Sequence, residues 1–477
     1  MAPFPPSPSS PSHHSTRFNR PQLVFGTPTD PLVVLIHARS PHTLDEIVPL
    51  SSEREKGTGV WDAGHLTSLG LLPPSGEEEG AANLALRDME TWEGLSGLIV
   101  QVTELEGGGL AVAIKFAHPL ADAQTLSRFA QDWAEMNRRM DDVDANFQLP
   151  PRPFEPWRLD DAAAGDIDST HLPSPVHVKE ANLLKRHAFD YYASATPDCP
   201  SFMLDATRIP PPLASLPSSS PAEFGTPIPW SSWDWMAPVE HKLVHFSGRE
   251  IKGMWEEAVA EGGDASKGIS KLDALLSHVW SLIVRARGLE DSDEINHLNV
   301  TLGARPRLSP PLPEDFLGSP LFILPVSLPA RCVASSSSSP TNGTTTSNLP
   351  FLSSSIRSTL SSATPSRLAS LLHVLGTSPN LARHWDAFLG SKHTIVTSWL
   401  RIRMYDVDFG GGKPRLVDSL MPNMDGIVQV AEFGAEEEGE GGGGSESWWK
   451  EGASVSLHLT KEVMERLEAG EGLRRFR

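Results

Sequence analysis

Between Leu98 and Met136 the spacing of apolar positions changes from two to nearly four. Leu98–Leu105 and Leu110–Ala117 are apolar-rich runs separated by Glu106-Gly107-Gly108-Gly109, a glycine-bearing hairpin signal. In the second run Leu110, Val112, Ile114 and Phe116 share one face at period two. From Thr125 the spacing lengthens, and Leu126, Phe129, Ala130, Trp133 and Met136 recur as on one side of a helix. The pattern predicts two paired strands followed directly by an amphipathic, core-facing helix.

Elsewhere, Leu23 to Ile36 reads as a buried strand region broken by a turn at Thr27-Pro28-Thr29-Asp30. Lys271 to Arg287 predicts a helix, with Leu272, Leu275, Leu276, Val279, Leu282 and Ile283 on one side. Ser366–Leu375 and Asn380–Leu389 read as helices, Thr394–Met404 and Gly426–Phe433 as strands. Ser454–Leu459 is expected to close a hairpin tipped by the acidic, glycine-rich Glu436–Ser447 loop, and a helix from Lys461 to Leu467 ends the pattern. Ser335–Asn348, a Ser/Thr/Asn tract, reads as a surface loop. Ile209–Pro238 is dense in Pro and Ser and has no period, which marks it as a linker. Strands and helices mix without a strict β-α-β rhythm. The expected fold class is mixed α/β (α+β), with a disordered tail over 1–20, one half over 21–208, a crossover over 209–238 and a second half over 239–477.

A chain of 477 residues is too long for one ordinary domain. A net charge of −20 and a pI near 5.3 argue against nucleic acid and anionic membranes as partners. Two cysteines, Cys199 and Cys332, make neither a disulfide framework nor a zinc site, so a reducing, cytoplasmic setting is expected. The Pro/Ser/His-rich start lacks the apolar run of a signal or anchor, and no run of about 18 apolar residues predicts a spanning helix.

The candidate chemistry lies where the period changes. His118-Pro119-Leu120-Ala121-Asp122 puts a histidine at the strand end and an aspartate at the start of the helix. Neutral imidazole suits proton abstraction near pH 7. Pro119 disfavours the right-handed helical region for His118 and so favours an extended backbone there. Read alone, the pair is equally a core histidine and a helix N-cap. A second motif, Asp408-Phe409-Gly410-Gly411-Gly412-Lys413-Pro414, is by itself a glycine turn; a kinase reading fails because no H-R-D catalytic loop accompanies it. It follows Thr397-Ser398-Trp399 and precedes Asp425-Gly426-Ile427-Val428. Two further strings stand between the motifs: Ser270-Lys271-Leu272-Asp273 opening a helix, and Arg305-Pro306-Arg307-Leu308-Ser309-Pro310-Pro311, followed by Gly318-Ser319.

In this order the segments resemble the BAHD acyl-CoA-dependent acyltransferases, with their H-x-x-x-D and D-F-G-W-G motifs, over roughly residues 20–470. Gly411 stands where the family has Trp, and Ser319 where it has Asn. The string from Ala117 to Leu126 is similar to fungal members. The resemblance implies two chloramphenicol-acetyltransferase-like domains with a channel between them. It implies acyl transfer from acyl-CoA to a small-molecule alcohol or amine, with acyl-CoA as co-substrate and no permanently bound cofactor or metal. His118 would be the general base; Thr397 and Trp399 would stabilise the oxyanion. Arg305 would pair with Asp122, making the aspartate an orienting residue, and Asp408, Gly410 and Gly412 would shape the fold. Ser270 and Lys271, with Arg307 and Lys413, are nominated for coenzyme A, and the family suggests a monomer. Two alternatives remain: a condensation-type enzyme taking carrier-bound acyl groups, which usually shows a doubled histidine where this chain has Ala117-His118, and a non-catalytic binder of acyl-CoA or a metabolite.

Overall fold

The computed structural model describes residues 27–28, 30–73, 96–140, 149, 152, 154–168, 173–204, 207–209, 225–260, 266–338, 345–378, 383–434 and 448–477. The tail expected over 1–20 and the loop expected at Glu436–Ser447 lie outside them, as do 210–224 of the expected linker.

The described strands, in chain order, are β1 (Val34–Thr43), β2 (Val60–Asp62), β3 (Leu98–Glu106), β4 (Leu110–Phe116), β5 (Phe189–Asp190), β6 (Thr226–Pro227), β7 (Val239–Phe246), β8 (Ile295–Gly303), β9 (Leu321–Pro329), β10 (Ser336–Ser338), β11 (Thr345–Ser347), β12 (His384–Trp385), β13 (His393–Trp399), β14 (Ile427–Glu432) and β15 (Ala453–Thr460). They form a seven-stranded sheet ordered β2-β7-β15-β14-β13-β8-β9, two three-stranded sheets, β1-β3-β4 and β12-β5-β6, and the small β10-β11 ladder. The fold is mixed α/β.

The large sheet has two unlike faces, because successive strand residues point to opposite sides. Val244, Phe246, Leu298, Val300, Leu324, Val326, Val396, Val428, Val430, Val455 and Leu457 share one face and are buried in the main core. That face is covered by helices, foremost Lys271–Ala286, which contacts helices Gly248–Val259 and Leu349–Ser361. The Lys271–Ala286 helix is buried on nearly every side rather than along one stripe, including Ser277, His278 and Ser281. Its Trp280 is fully enclosed and donates its indole N–H to Asn296 Oδ1 at 2.8 Å, which settles the one polar atom that ring brings inside. The opposite face carries polar groups: His241, His245, His297, Asn299, His393, Thr397, Gln429, Ser456 and His458.

Several expectations need correction. Asn380–Leu389 is no helix in its described part: His384–Trp385 pairs with Phe189–Asp190, and Phe388 packs among Trp230, Trp233 and Phe189. Burial of those aromatic rings outweighs local helix propensity. The strand from Thr394 ends at Trp399 because Arg401 and Arg403 take positive φ and turn the chain. Residues 225–238 of the expected linker are packed, with Trp230 and Trp233 buried in the same aromatic cluster. The flanks of the Ser335–Asn348 tract pair as β10 and β11. Of the strand region expected over Leu23–Ile36, residues 23–26 lie outside the described residues; Asp30 N–H donates to Thr27 O at 3.2 Å in the expected turn, and β1 begins at Val34 with Val34 and Leu35 exposed rather than buried. The two halves also interlock, since β2 extends the sheet built mostly from residues after 239.

Candidate active site

β3 and β4 pair antiparallel, and the last bond of their hairpin runs from Ala117 N–H to Gly97 O at 3.0 Å. The chain leaves the sheet at His118 and turns at once, with Leu120 N–H donating to Ala117 O at 2.8 Å. His118 therefore stands in a turn at the strand end, exposed, with its Nδ1 3.3 Å from Ser319 Oγ.

Asp122 has two tasks. Its Oδ1 accepts from Thr125 N–H at 3.0 Å, capping the helix Ala123–Arg138. Both carboxylate oxygens also bind the buried Arg305 guanidinium, Nη1 to Oδ2 at 2.5 Å and Nη2 to Oδ1 at 2.9 Å. The guanidinium donates further to Phe316 O at 3.0 Å, Gly318 O at 3.2 Å and Thr125 Oγ1 at 3.2 Å. Arg305 is 4% exposed and Asp122 4%, so neither charge is left without partners where water cannot reach it. Of the predicted face, Ala130 is buried against Val407 together with Ala134, Phe129 meets Phe116 and Trp133 meets the ring of Phe409, while Met136 is exposed.

Thr397 and Trp399 lie on the polar face of β13, half-buried. β13 runs parallel to β8 with Val396 opposite Val300, which sets Trp399 level with Gly303, two residues before Arg305. Gly303 in turn pairs with Leu321 at the start of β9, two residues after Ser319. Adjacent strands are about 4.8 Å apart, so β9 and β13 are separated by only two such spacings. Thr397, Trp399, Arg305 and Ser319 thus share one end of the sheet, and His118 is attached there through Ser319.

The residues nominated for coenzyme A are placed differently from one another. Ser270 caps the Lys271–Ala286 helix: its Oγ donates to Asp273 Oδ2 and accepts from Asp273 N–H and from Arg357 Nη2 at 3.0 Å. Its hydrogen-bonding capacity is used within the protein. Lys271 is boxed by two indoles, its Nζ 4.6 Å from the centroid of Trp255 and 4.2 Å from that of Trp449. Lys413 is exposed and pairs with Asp406 at 3.7 Å. Arg307 remains, half-buried; desolvation lowers its pKa, and the nearby Arg357 charge lowers it further. Arg357 is itself committed to the protein, donating through Nε and Nη2 to the buried Asp273 carboxylate at 2.9 and 2.6 Å, which leaves Arg307 as the strongest anion-binding candidate among the four nominations. Arg357 was not read from the sequence: it lies on the Leu349–Ser361 helix, where an isolated Arg gives no signal. Ser319, too, could be read only as a departure from a motif.

The second motif packs against the first one's helix. Asp408 Oδ1 accepts from Gly410 N–H at 2.7 Å and Gly412 N–H at 2.9 Å, closing a turn. Gly410 (φ 101°) and Gly412 (φ 100°) both need the conformational range of glycine. Phe409 meets the edge of Trp133 at 4.7 Å, and Asn137 Nδ2 donates to Phe409 O at 2.8 Å. Asp408, Gly410 and Gly412 thus buttress the helix whose N-cap is Asp122. A Cβ at Gly411 would meet nothing within 4 Å, so the missing Trp leaves open space.

His187, His297 and His393 cluster around the opposite end of β13 from Trp399, with ring centroids 4.6 to 5.3 Å apart. Burial pushes His297 down to about 4 and His393 to about 2. Neutral imidazoles fit the hydrogen bonds that His187 and His393 make with Asn299 and His297 with Ser327. Among the described residues no group of three or more His, Cys, Asp or Glu is disposed to hold a metal ion, and no helix is long and apolar enough to cross a membrane.

The Transferase family model matches residues 66–190 and 239–469. Acyltransferase AFT15-1 of Alternaria alternata is 25% identical over 418 residues, covering 85% of this chain and 71% of its own length. Hydroxycinnamoyltransferase 1 of Oryza sativa subsp. japonica is 26% identical over 324 residues, 66% of this chain; the match spans only 58% of the rice protein. Among solved structures, F. graminearum TRI101 complexed with coenzyme A and deoxynivalenol superposes with a TM-score of 0.56 at 15% identity, over 93% of this chain and 81% of that one. At that identity the likeness is one of fold.

Proposed function

The chain belongs to the Transferase family of BAHD acyl-CoA-dependent acyltransferases, and from that membership we propose that it moves an acyl group from acyl-CoA to a hydroxyl or amine of a small secondary metabolite, with His118 as general base. The observation that carries the reading is the Arg305–Asp122–Gly318–Ser319 network, which fixes an exposed His118 at the sheet end that also holds Thr397 and Trp399. The comparison with a protein complexed with coenzyme A and a small acceptor supports the substrate class.

In this mechanism His118 Nε2, the nitrogen away from Ser319, takes the proton as the acceptor oxygen attacks the thioester carbonyl carbon. A C–O bond forms and the carbonyl becomes a tetrahedral oxyanion. The Thr397 hydroxyl and Trp399 indole N–H donate to that charge. Collapse of the intermediate breaks the C–S bond, and the proton held on Nε2 passes to the departing thiolate. Arg307 binds a phosphate of coenzyme A, giving a local positive charge in a chain of net charge −20. Acyl-CoA is a co-substrate, and the enzyme acts as a cytoplasmic monomer made of an N-terminal and a C-terminal acyltransferase domain.

The test is thiol release from a panel of acyl-CoAs with pooled hydroxylated and amine metabolites, with products identified by mass spectrometry. His118→Ala should reduce acceptor-dependent release by about 10²- to 10⁴-fold while coenzyme A binding is retained. Binding without release by the wild type with any acceptor would favour a non-catalytic binder. Failure to bind acyl-CoA would direct attention to carrier-bound donors.

A further inference from the structure

His118 needs more than a place at the strand end. A neutral imidazole has two tautomers, and only the one protonated on Nδ1 offers an Nε2 lone pair to the acceptor. We propose that Ser319 is a positioning residue that fixes this tautomer, its Oγ accepting the Nδ1–H of His118. The inference rests on His118 being the base.

The contact is the one already measured, Ser319 Oγ to His118 Nδ1 at 3.3 Å. Its importance comes from how firmly the backbone around Ser319 is held. Gly318 O accepts from Asp122 N–H at 3.2 Å, Thr125 Oγ1 at 2.8 Å and Arg305 Nη2 at 3.2 Å. Gly318 N–H donates back to Thr125 Oγ1 at 3.1 Å. On the other side, Leu321 N–H donates to Ser319 O and Ala304 N–H to Pro320 O, each at 2.9 Å. With its neighbours pinned on both sides, Ser319 keeps chiefly the rotation of its own side chain. Gly318 itself has φ 146° and a ring carbon of Phe316 3.0 Å from where a Cβ would be, so the loop follows one path.

The sense of the hydrogen bond follows from the reaction. After proton transfer both imidazolium nitrogens are donors, and the group facing Nδ1 must then accept. A hydroxyl that already accepts from Nδ1–H serves both states without rearrangement. The Asp122–Arg305 pair therefore acts on His118 by a path other than the three residues between Asp122 and His118: through Gly318 to Ser319, and from Ser319 to the ring. The hydroxyl here takes up the station where the family has Asn.

The experiment is two-bond ¹H–¹⁵N correlation spectroscopy of full-length protein labelled in its histidine rings, with His118→Gln identifying the His118 signals. It is run on wild type, Ser319→Ala and Ser319→Thr above the His118 titration. The expected result is the Nδ1–H tautomer in wild type and Ser319→Thr, with a shift towards Nε2–H in Ser319→Ala. With an active acceptor, kcat for Ser319→Ala falls roughly 3- to 10-fold at unchanged KM for acyl-CoA, and Ser319→Thr restores it. An Nε2–H tautomer in wild type, or a ratio unchanged in a folded Ser319→Ala, overturns the proposal; the wild-type spectrum decides even where the variant does not fold. The spectra require no turnover. A wild-type Nδ1–H signal lost in Ser319→Ala, together with a fully active His118→Ala, would leave the contact standing and remove the general-base reading.

Discussion

Arg305 and Asp122, 183 residues apart in the chain, meet as a buried two-pronged ion pair at 2.5 and 2.9 Å. Because the guanidinium also gathers the carbonyls of Phe316 and Gly318, one residue joins the motif helix to the loop before β9. Removing either partner leaves a charge inside without its counterion. Asp122→Ala and Arg305→Ala should each lower unfolding stability by about 3–5 kcal/mol, read by urea denaturation. The double variant should lose much less than the sum. Additive losses would mean that the pair is not coupled.

The acyl-CoA site is expected at Arg307, not at Lys413. Arg307→Ala should raise KM for acyl-CoA about tenfold, the loss of a charge-assisted hydrogen bond to phosphate, whereas Arg357→Ala, which strips the buried Asp273 of its ion pair, should show first in melting temperature. Lys413→Ala, whose ammonium is exposed beside Asp406, should leave it unchanged. Lys271→Glu would destroy the cation–π box with Trp255 and Trp449, so its effect should show first in melting temperature. An unaltered KM in Arg307→Ala would remove it from the site.

Phe409 should matter for stability and not for chemistry. Phe409→Ala removes the edge contact with Trp133 and opens the small cluster of Ala130, Ala134 and Val407. The ring is only half-buried, so the cost should be about 1–3 kcal/mol, below the range for a fully enclosed Phe. Thermal melting should register it while KM for acyl-CoA holds. A variant that melts like wild type but has lost acyl-CoA affinity would place the motif in the binding site instead.

Stability should fall with acidification below neutrality. Desolvation pushes His245 and His297 down to about 4, His278 and His458 to about 3 and His393 to about 2. In the unfolded chain these rings take up a proton near 6.5. Between about pH 6.5 and 4 the unfolded state therefore binds more protons, and stability rises with pH across that window. It is fully present above 6.5 and is lost as pH drops, at up to about 1.4 kcal/mol per pH unit for each ring. Melting temperatures measured from pH 7.5 down to 5 check this. A flat profile would show that the rings are more hydrated than their burial implies.

What could be read along the chain was local. The hairpin before His118 and the helix after Asp122 follow from hydrophobic spacing, because backbone hydrogen bonding in those elements is satisfied by near neighbours. The helix at Lys271 and the final β14–β15 hairpin were legible for the same reason. Asn380–Leu389 was misread because its conformation depends on β5 and on rings from 189, 230 and 233. Arg357 was missed because its partners, Asp273 and Ser270, lie on another element.

By itself, then, the sequence determined the chemistry-bearing side chains and the elements that carry them: His118 at a strand end, Asp122 at a helix start, Thr397 and Trp399 at alternate positions of one strand. Only the tertiary structure decided which of these meet. Beyond the Arg305–Asp122 pairing that the family resemblance already implied, it turned Ser319 to His118 and occupied Ser270 and Lys271 with internal partners. The physical reason is that spacing reports a residue's face on its own element, whereas a buried charge or hydroxyl takes its role from whichever partners packing brings within hydrogen-bond reach.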